Sequence, residues 1–102
     1  MKRTVVTGIG IISSIGNSLK EVTRSLKNFS SGIQLNEVNK EMGLRSQISG
    51  TIKDLNIEEL IERKTYRFMG DAAAYGYLSA QQAIEDSKLK QKDISNNGTG
   101  LI

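Results

Sequence analysis

The 102 residues, 11.2 kDa in all, allow one small domain, and fourteen Lys and Arg against eleven Asp and Glu leave a net charge of +3, ordinary for a folded protein. No apolar run approaches the roughly 18 residues that a membrane-spanning helix needs, and Met1-Lys2-Arg3 leads into a glycine-broken run too short for a signal peptide, so a cytoplasmic chain without a membrane partner is expected. Cys and His are absent, which excludes disulfides, thiolate or imidazole metal sites and His-containing catalytic triads built from these residues; no catalytic, cofactor-binding or metal-binding residue is expected among them.

Residues 4–12, TVVTGIGII, are apolar or β-branched apart from two glycines. Continuous apolarity rather than alternation predicts a strand buried on both faces, as in a parallel sheet between helices. Gly8 and Gly10, two apart, leave one face of that strand bare, so a helix or a second subunit is expected to pack close against it. A phosphate-binding loop is the competing reading, and it fails on spacing. The dinucleotide pattern needs glycine where Ser13 stands, and Gly-Lys followed by Ser or Thr occurs nowhere.

After Asn17 the period changes. Ser18-Leu19-Lys20-Glu21 fits a capping box, and Leu19, Val22, Leu26 and Phe29 recur at helical spacing, which predicts an amphipathic helix with Lys20, Arg24 and Lys27 on its wet side. Ser30-Ser31-Gly32 stops it, with Gly32 available for a left-handed cap. Residues 34–44 have no steady period and read as an irregular surface loop. Residues 45–52 read as a short strand or extended segment with Ile48 and Ile52 on one face and Gly50 between them.

Residues 54–64 set Ile57, Leu60 and Ile61 against Glu58, Glu59 and Glu62, as in a one-sided helix. Residues 65–88 read as the longest helix, whose Ala72-Ala73-Ala74 run and small Gly70, Gly76 and Ala80 predict deep burial. Residues 91–100 form a polar connection containing Asn96-Asn97-Gly98. Leu101-Ile102 then open a new apolar run, so the C-terminus reads as a cut within a strand rather than the end of a domain.

Three cations fall within five residues at Arg63, Lys64 and Arg67. On a helix, Arg63 and Arg67 share a face with Lys64 on its shoulder, a patch suited to carboxylates or phosphates. The alternative is a solvated helix end whose cations pair with Glu58, Glu59 and Glu62, since residues 57–67 carry three acids and three bases. Nucleic acid is not the expected partner. The remaining cations are scattered, aromatics make up 5%, and no nucleic-acid-binding signature is present.

Four segments, in order, resemble the start of the type I beta-ketoacyl-[acyl-carrier-protein] synthases. They are Val6-Thr7-Gly8-Ile9-Gly10-Ile11-Ile12-Ser13-Ser14-Ile15-Gly16-Asn17, then Ser31-Gly32-Ile33, then Gly43-Leu44-Arg45-Ser46, and finally Arg63-Lys64-Thr65-Tyr66-Arg67-Phe68-Met69-Gly70-Asp71-Ala72. The resemblance covers residues 1–102 as a partial N-terminal domain. It implies an α/β, thiolase-like fold of which this is an incomplete N-terminal portion, usually dimeric, with a role in fatty-acid elongation. The catalytic Cys and two His that it implies would lie beyond Ile102. The family's basic contact for acyl carrier protein lands on Arg63, Lys64 and Arg67. Ser30 stands where a basic residue is common, and Asp86-Ser87-Lys88-Leu89 lacks the Ala-Gly helix stop often found there. A free-standing carrier-protein-binding module without chemistry, and a small basic domain with accidental resemblance, are the alternatives.

Overall fold

The computed structural model describes residues 2–102; Met1, which heads the Met1-Lys2-Arg3 segment, lies outside them. Helix α1, Leu19–Lys27, begins as its sequence requires. The Ser18 hydroxyl accepts the amide of Glu21 at 3.3 Å, and the Glu21 carboxylate accepts the amide of Asn17 at 2.8 Å. The return bond of the box therefore reaches one residue upstream of the cap. The helix stops earlier than Gly32. Asn28 is its C-cap, Phe29 turns left-handed at φ 54°, and the amides of Phe29 and Ser30 donate to the carbonyls of Leu26 and Ser25, which is a Schellman stop without glycine. Gly32 serves a different purpose: it is buried against Ser14, where a Cβ would lie 2.7 Å from the serine Cβ.

Residues 34–44 are more ordered than their lack of periodicity suggests. β1, Gln34–Leu35, pairs antiparallel with β2, Ile48–Ser49, in the register Gln34 to Ser49 and Leu35 to Ile48. Helix α2, Glu37–Glu41, lies between them. Its start is set by the Asn36 side chain, which accepts the Asn39 amide at 3.2 Å, and Gly43 at φ 65° follows its end.

The expected helices over 54–64 and 65–88 are divided differently. α3 is Ile57–Leu60, α4 is Arg63–Tyr66 and α5 is Asp71–Ser87. The break between α3 and α4 falls where Ile61 takes an extended conformation, φ −120° and ψ 133°, and is 3% exposed. Leaving the helical path puts Ile61 against Ala74 and Leu78 of α5, with Ile12, Leu55, Ile57, Tyr66 and Met69 packed around them. Burial of one large aliphatic side chain is worth about 1.5–3 kcal/mol, enough to offset the one or two helical hydrogen bonds given up at the break, at about 1 kcal/mol each. Ala74 is fully buried, but Gly70, Ala72, Ala73, Gly76 and Ala80 are exposed, so deep burial holds for one small residue and not for the set. Lys88 closes α5 in a left-handed conformation, φ 55°, which supplies the helix stop without the Ala-Gly pair. Helix α6, Gln91–Ile94, interrupts the polar connection, and Leu101 and Ile102 lie exposed with no strand partner among the described residues.

The buried parallel strand expected over residues 4–12 is not formed among the described residues. A strand is defined by its partners, and α5 takes that place here. The Ile9 amide donates to the Asp86 carboxylate at 3.0 Å and the Ile11 amide to Gln82 Oε1 at 3.0 Å, while Gln82 Nε2 donates to the Asn17 carbonyl at 2.7 Å. The glycine face does what its spacing requires. A Cβ on Gly10 would lie 2.7 Å from the Ala83 amide nitrogen and nearer still to the Ser79 carbonyl oxygen. One on Gly8 would lie 2.7 Å from the Ser87 amide nitrogen and nearer still to the Ala83 carbonyl oxygen. Helix backbone occupies the space that side chains would otherwise fill. Val5 and Val6, beyond the reach of α5, are 76% and 80% exposed.

Candidate functional site

The three cations predicted as a patch are carried by α4 and its cap. The Glu62 carbonyl accepts the amides of Thr65 and Tyr66 at 2.8 and 2.9 Å and starts the turn. The Arg67 amide donates to the Arg63 carbonyl at 3.1 Å, with Arg67 itself still helical at φ −57°, ψ −17°. Arg63 and Arg67 are therefore one turn apart on the same face, with Lys64 beside them, as their spacing requires. All three are exposed, and the same turn carries Tyr66 half-buried onto the cluster of Ile61, Ala74 and Leu78. Tyr66 and Met69, three residues apart, anchor the turn from below while the cations face outward.

The alternative pairing with neighbouring acids does not form. Among the described residues the one ion pair is Lys40 with Glu37, at 3.6 Å on α2, so no carboxylate lies within 4.0 Å of Arg63, Lys64 or Arg67. The Arg67 guanidinium instead lies over the Phe68 ring, 4.4 Å from its centroid, and Phe68 is itself 78% exposed. This stacking leaves the hydrogen-bonding edge of the guanidinium available to an anion.

Two open clefts flank the arginines. One, of about 370 Å³, is lined by Glu58, Arg63, Tyr66 and Arg67; the other, of about 540 Å³, by Glu62, Arg63, Lys64 and Arg67. Two guanidinium groups and an ammonium side by side are suited to carboxylates or phosphates, through charge-assisted hydrogen bonds. Sequence spacing identifies the cations but not the roles of Tyr66 and Glu58 beside them. The three-residue step from Tyr66 to Met69 is the signal for the anchoring side; Glu58 is foreseen only as one of three acids able to pair with the cations, and its spacing does not set it apart from Glu59 and Glu62.

The family described as "Beta-ketoacyl synthase, N-terminal domain" matches residues 1–102. The chain is 57% identical over 102 residues to 3-oxoacyl-[acyl-carrier-protein] synthase 1 of Haemophilus influenzae, an alignment that covers 100% of this chain and 25% of the relative. It is 48% identical over 103 aligned residues to the protein of the same description from Escherichia coli, again 100% of this chain and 25% of the relative. With 3-oxoacyl-[acyl-carrier-protein] synthase 2 of Staphylococcus aureus it shares 32% identity over 102 residues, 99% of this chain and 24% of the relative. The chain thus spans about a quarter of the length of these curated relatives.

Proposed function

Because the chain belongs to the beta-ketoacyl synthase family, matched over residues 1–102, we propose that it forms the N-terminal part of a 3-oxoacyl-[acyl-carrier-protein] synthase of fatty-acid elongation. Such an enzyme condenses an acyl thioester with malonyl-acyl carrier protein. The chemistry needs a thiolate to take the acyl group and donors to hold the developing oxyanion. These residues include neither Cys nor His, so their share of the work is recognition. Residues 1–102 are read as a partial domain of a thiolase-like α/β fold in a cytoplasmic homodimer.

The observation that carries the recognition role is the patch itself. Arg63, Lys64 and Arg67 are exposed, unpaired with any acid among the described residues, and mounted on a turn whose other side is packed into the core. The surface of an acyl carrier protein is acidic, and opposite charges across a docking surface set both encounter rate and register. The test is the double charge reversal Arg63→Glu and Lys64→Glu in the full-length protein, with carrier-protein affinity followed by fluorescence anisotropy. At low ionic strength, near 0.01 M, where the Debye length is about 30 Å, affinity falls by roughly tenfold or more. Near 1 M salt, with a Debye length of about 3 Å, the two proteins converge. Equal affinity at low salt refutes the docking role.

The second reading is a carrier-binding module that does no chemistry. The two readings part on a product assay. A condensing enzyme releases carbon dioxide from malonyl-carrier protein and yields the 3-oxoacyl thioester, whereas a binding module does neither.

A further inference from the structure

Glu62 adjoins Arg63 in the chain and lines the other cleft with Arg63, Lys64 and Arg67; for the cleft that holds Tyr66, helical spacing and the observed fold disagree about which of Glu58 and Glu59 accompanies the arginines. On one continuous helix over residues 57–67, Glu59 stands four residues before Arg63 and shares its face, while Glu58, five residues before, is turned about 140° away at roughly 100° per residue. The break at Ile61 exchanges them. Glu58 lines the cleft of about 370 Å³ together with Arg63, Tyr66 and Arg67, and Glu59 lines neither cleft beside the pair. Glu58 is exposed and farther than 4.0 Å from either guanidinium, so it acts on them through its field and not through a fixed ion pair.

We infer that Glu58 is a specificity-determining residue of the patch, an internal competitor that keeps acidic protein partners weakly and reversibly held at Arg63 and Arg67. An incoming carboxylate that approaches the two guanidinium groups through this cleft meets a like charge there, which opposes its binding. Tyr66, half-buried against the cluster of Ile61, Ala74 and Leu78, lines the same cleft and ties the turn that carries the arginines to that cluster. The inference rests on the carrier-docking reading of the patch.

The experiment compares four forms of the full-length protein against an acidic acyl carrier protein at low and high salt: the unaltered protein, Glu58→Gln, Glu59→Gln, and the Arg63→Glu, Lys64→Glu double variant. Both glutamates are exposed, so the glutamine forms fold, and thermal melts verify it. Glu58→Gln tightens binding about threefold to fivefold at low salt, the size a single exposed charge at close range gives in water. Glu59→Gln changes it by less than about half as much, and high salt removes the difference. If the double variant loses affinity while Glu58→Gln binds no more tightly than Glu59→Gln, the role of Glu58 is overturned and the docking reading stands. If the double variant binds as the unaltered protein does, the docking reading fails and takes the role of Glu58 with it.

Discussion

Replacing Gly10 with alanine puts a methyl group into the contact between residues 8–12 and α5. The new carbon would meet the Ala83 amide nitrogen at 2.7 Å and the Ser79 carbonyl carbon at 2.8 Å, more than half an ångström inside ordinary van der Waals separation, with the Ser79 carbonyl oxygen nearer still. All three atoms are helix backbone and have no rotamer by which to yield. The segment must therefore lift off α5, which stretches the bonds from the Ile9 amide to Asp86 and from the Ile11 amide to Gln82, and draws Ile12 from the cluster around Ile61. Overpacking costs about 1–3 kcal/mol and each weakened hydrogen bond about 1 kcal/mol, so Gly10→Ala should destabilise by about 3–5 kcal/mol. The matched control is Gly76→Ala, exposed on the same helix with nothing within 4 Å of a new Cβ, which should stabilise by about 0.5–1 kcal/mol through helix propensity. Urea unfolding followed by circular dichroism gives both values from shifts in midpoint at constant slope. A Gly10→Ala midpoint equal to that of the unaltered protein would refute the close approach of α5.

Phe29→Gly should stabilise by about 1 kcal/mol, read as a raised melting temperature, because Phe29 occupies the left-handed position of the α1 stop with a side chain that is 96% exposed. Ile61→Ala should cost about 2–4 kcal/mol in the same measurement, since it empties the centre of the cluster that supports α4.

Three local signals in the sequence are kept by the fold. Gly8 and Gly10 announce a bare face and a helix backbone lies on it; Ser18 and Glu21 announce a cap and both make cap bonds; Arg63 and Arg67 announce a shared face and stand one turn apart. Signals outside the hydrophobic period escape a reading built on periodicity, and the stretch with Asn36 and Gly43 shows it. Its cap and its left-handed glycine bound α2, while its apolar residues keep no rhythm. The break at Ile61 is of another kind. Nothing local ends the helix there, because the residue is a good partner for Ala74 and Leu78, thirteen and seventeen positions away, and that contact overrides the local preference. Residues 4–12 illustrate the same dependence in reverse, since a strand's hydrogen-bonding role belongs to whatever chain stands beside it.

The mounting of α4 bears on the entropy of association. With Tyr66 and Met69 set against the core and the Glu62 carbonyl closing the turn, the backbone under the arginines is already ordered before any partner arrives. What remains to be immobilised is side-chain rotation, at about 0.5–1.5 kcal/mol for each long side chain. The contact of Arg67 with the Phe68 ring removes part of that freedom in advance. Under the proposed docking role, such a surface would meet an acidic partner nearly as a rigid body, and the heat capacity of binding should report the apolar area covered on contact, with no added contribution from folding of the turn.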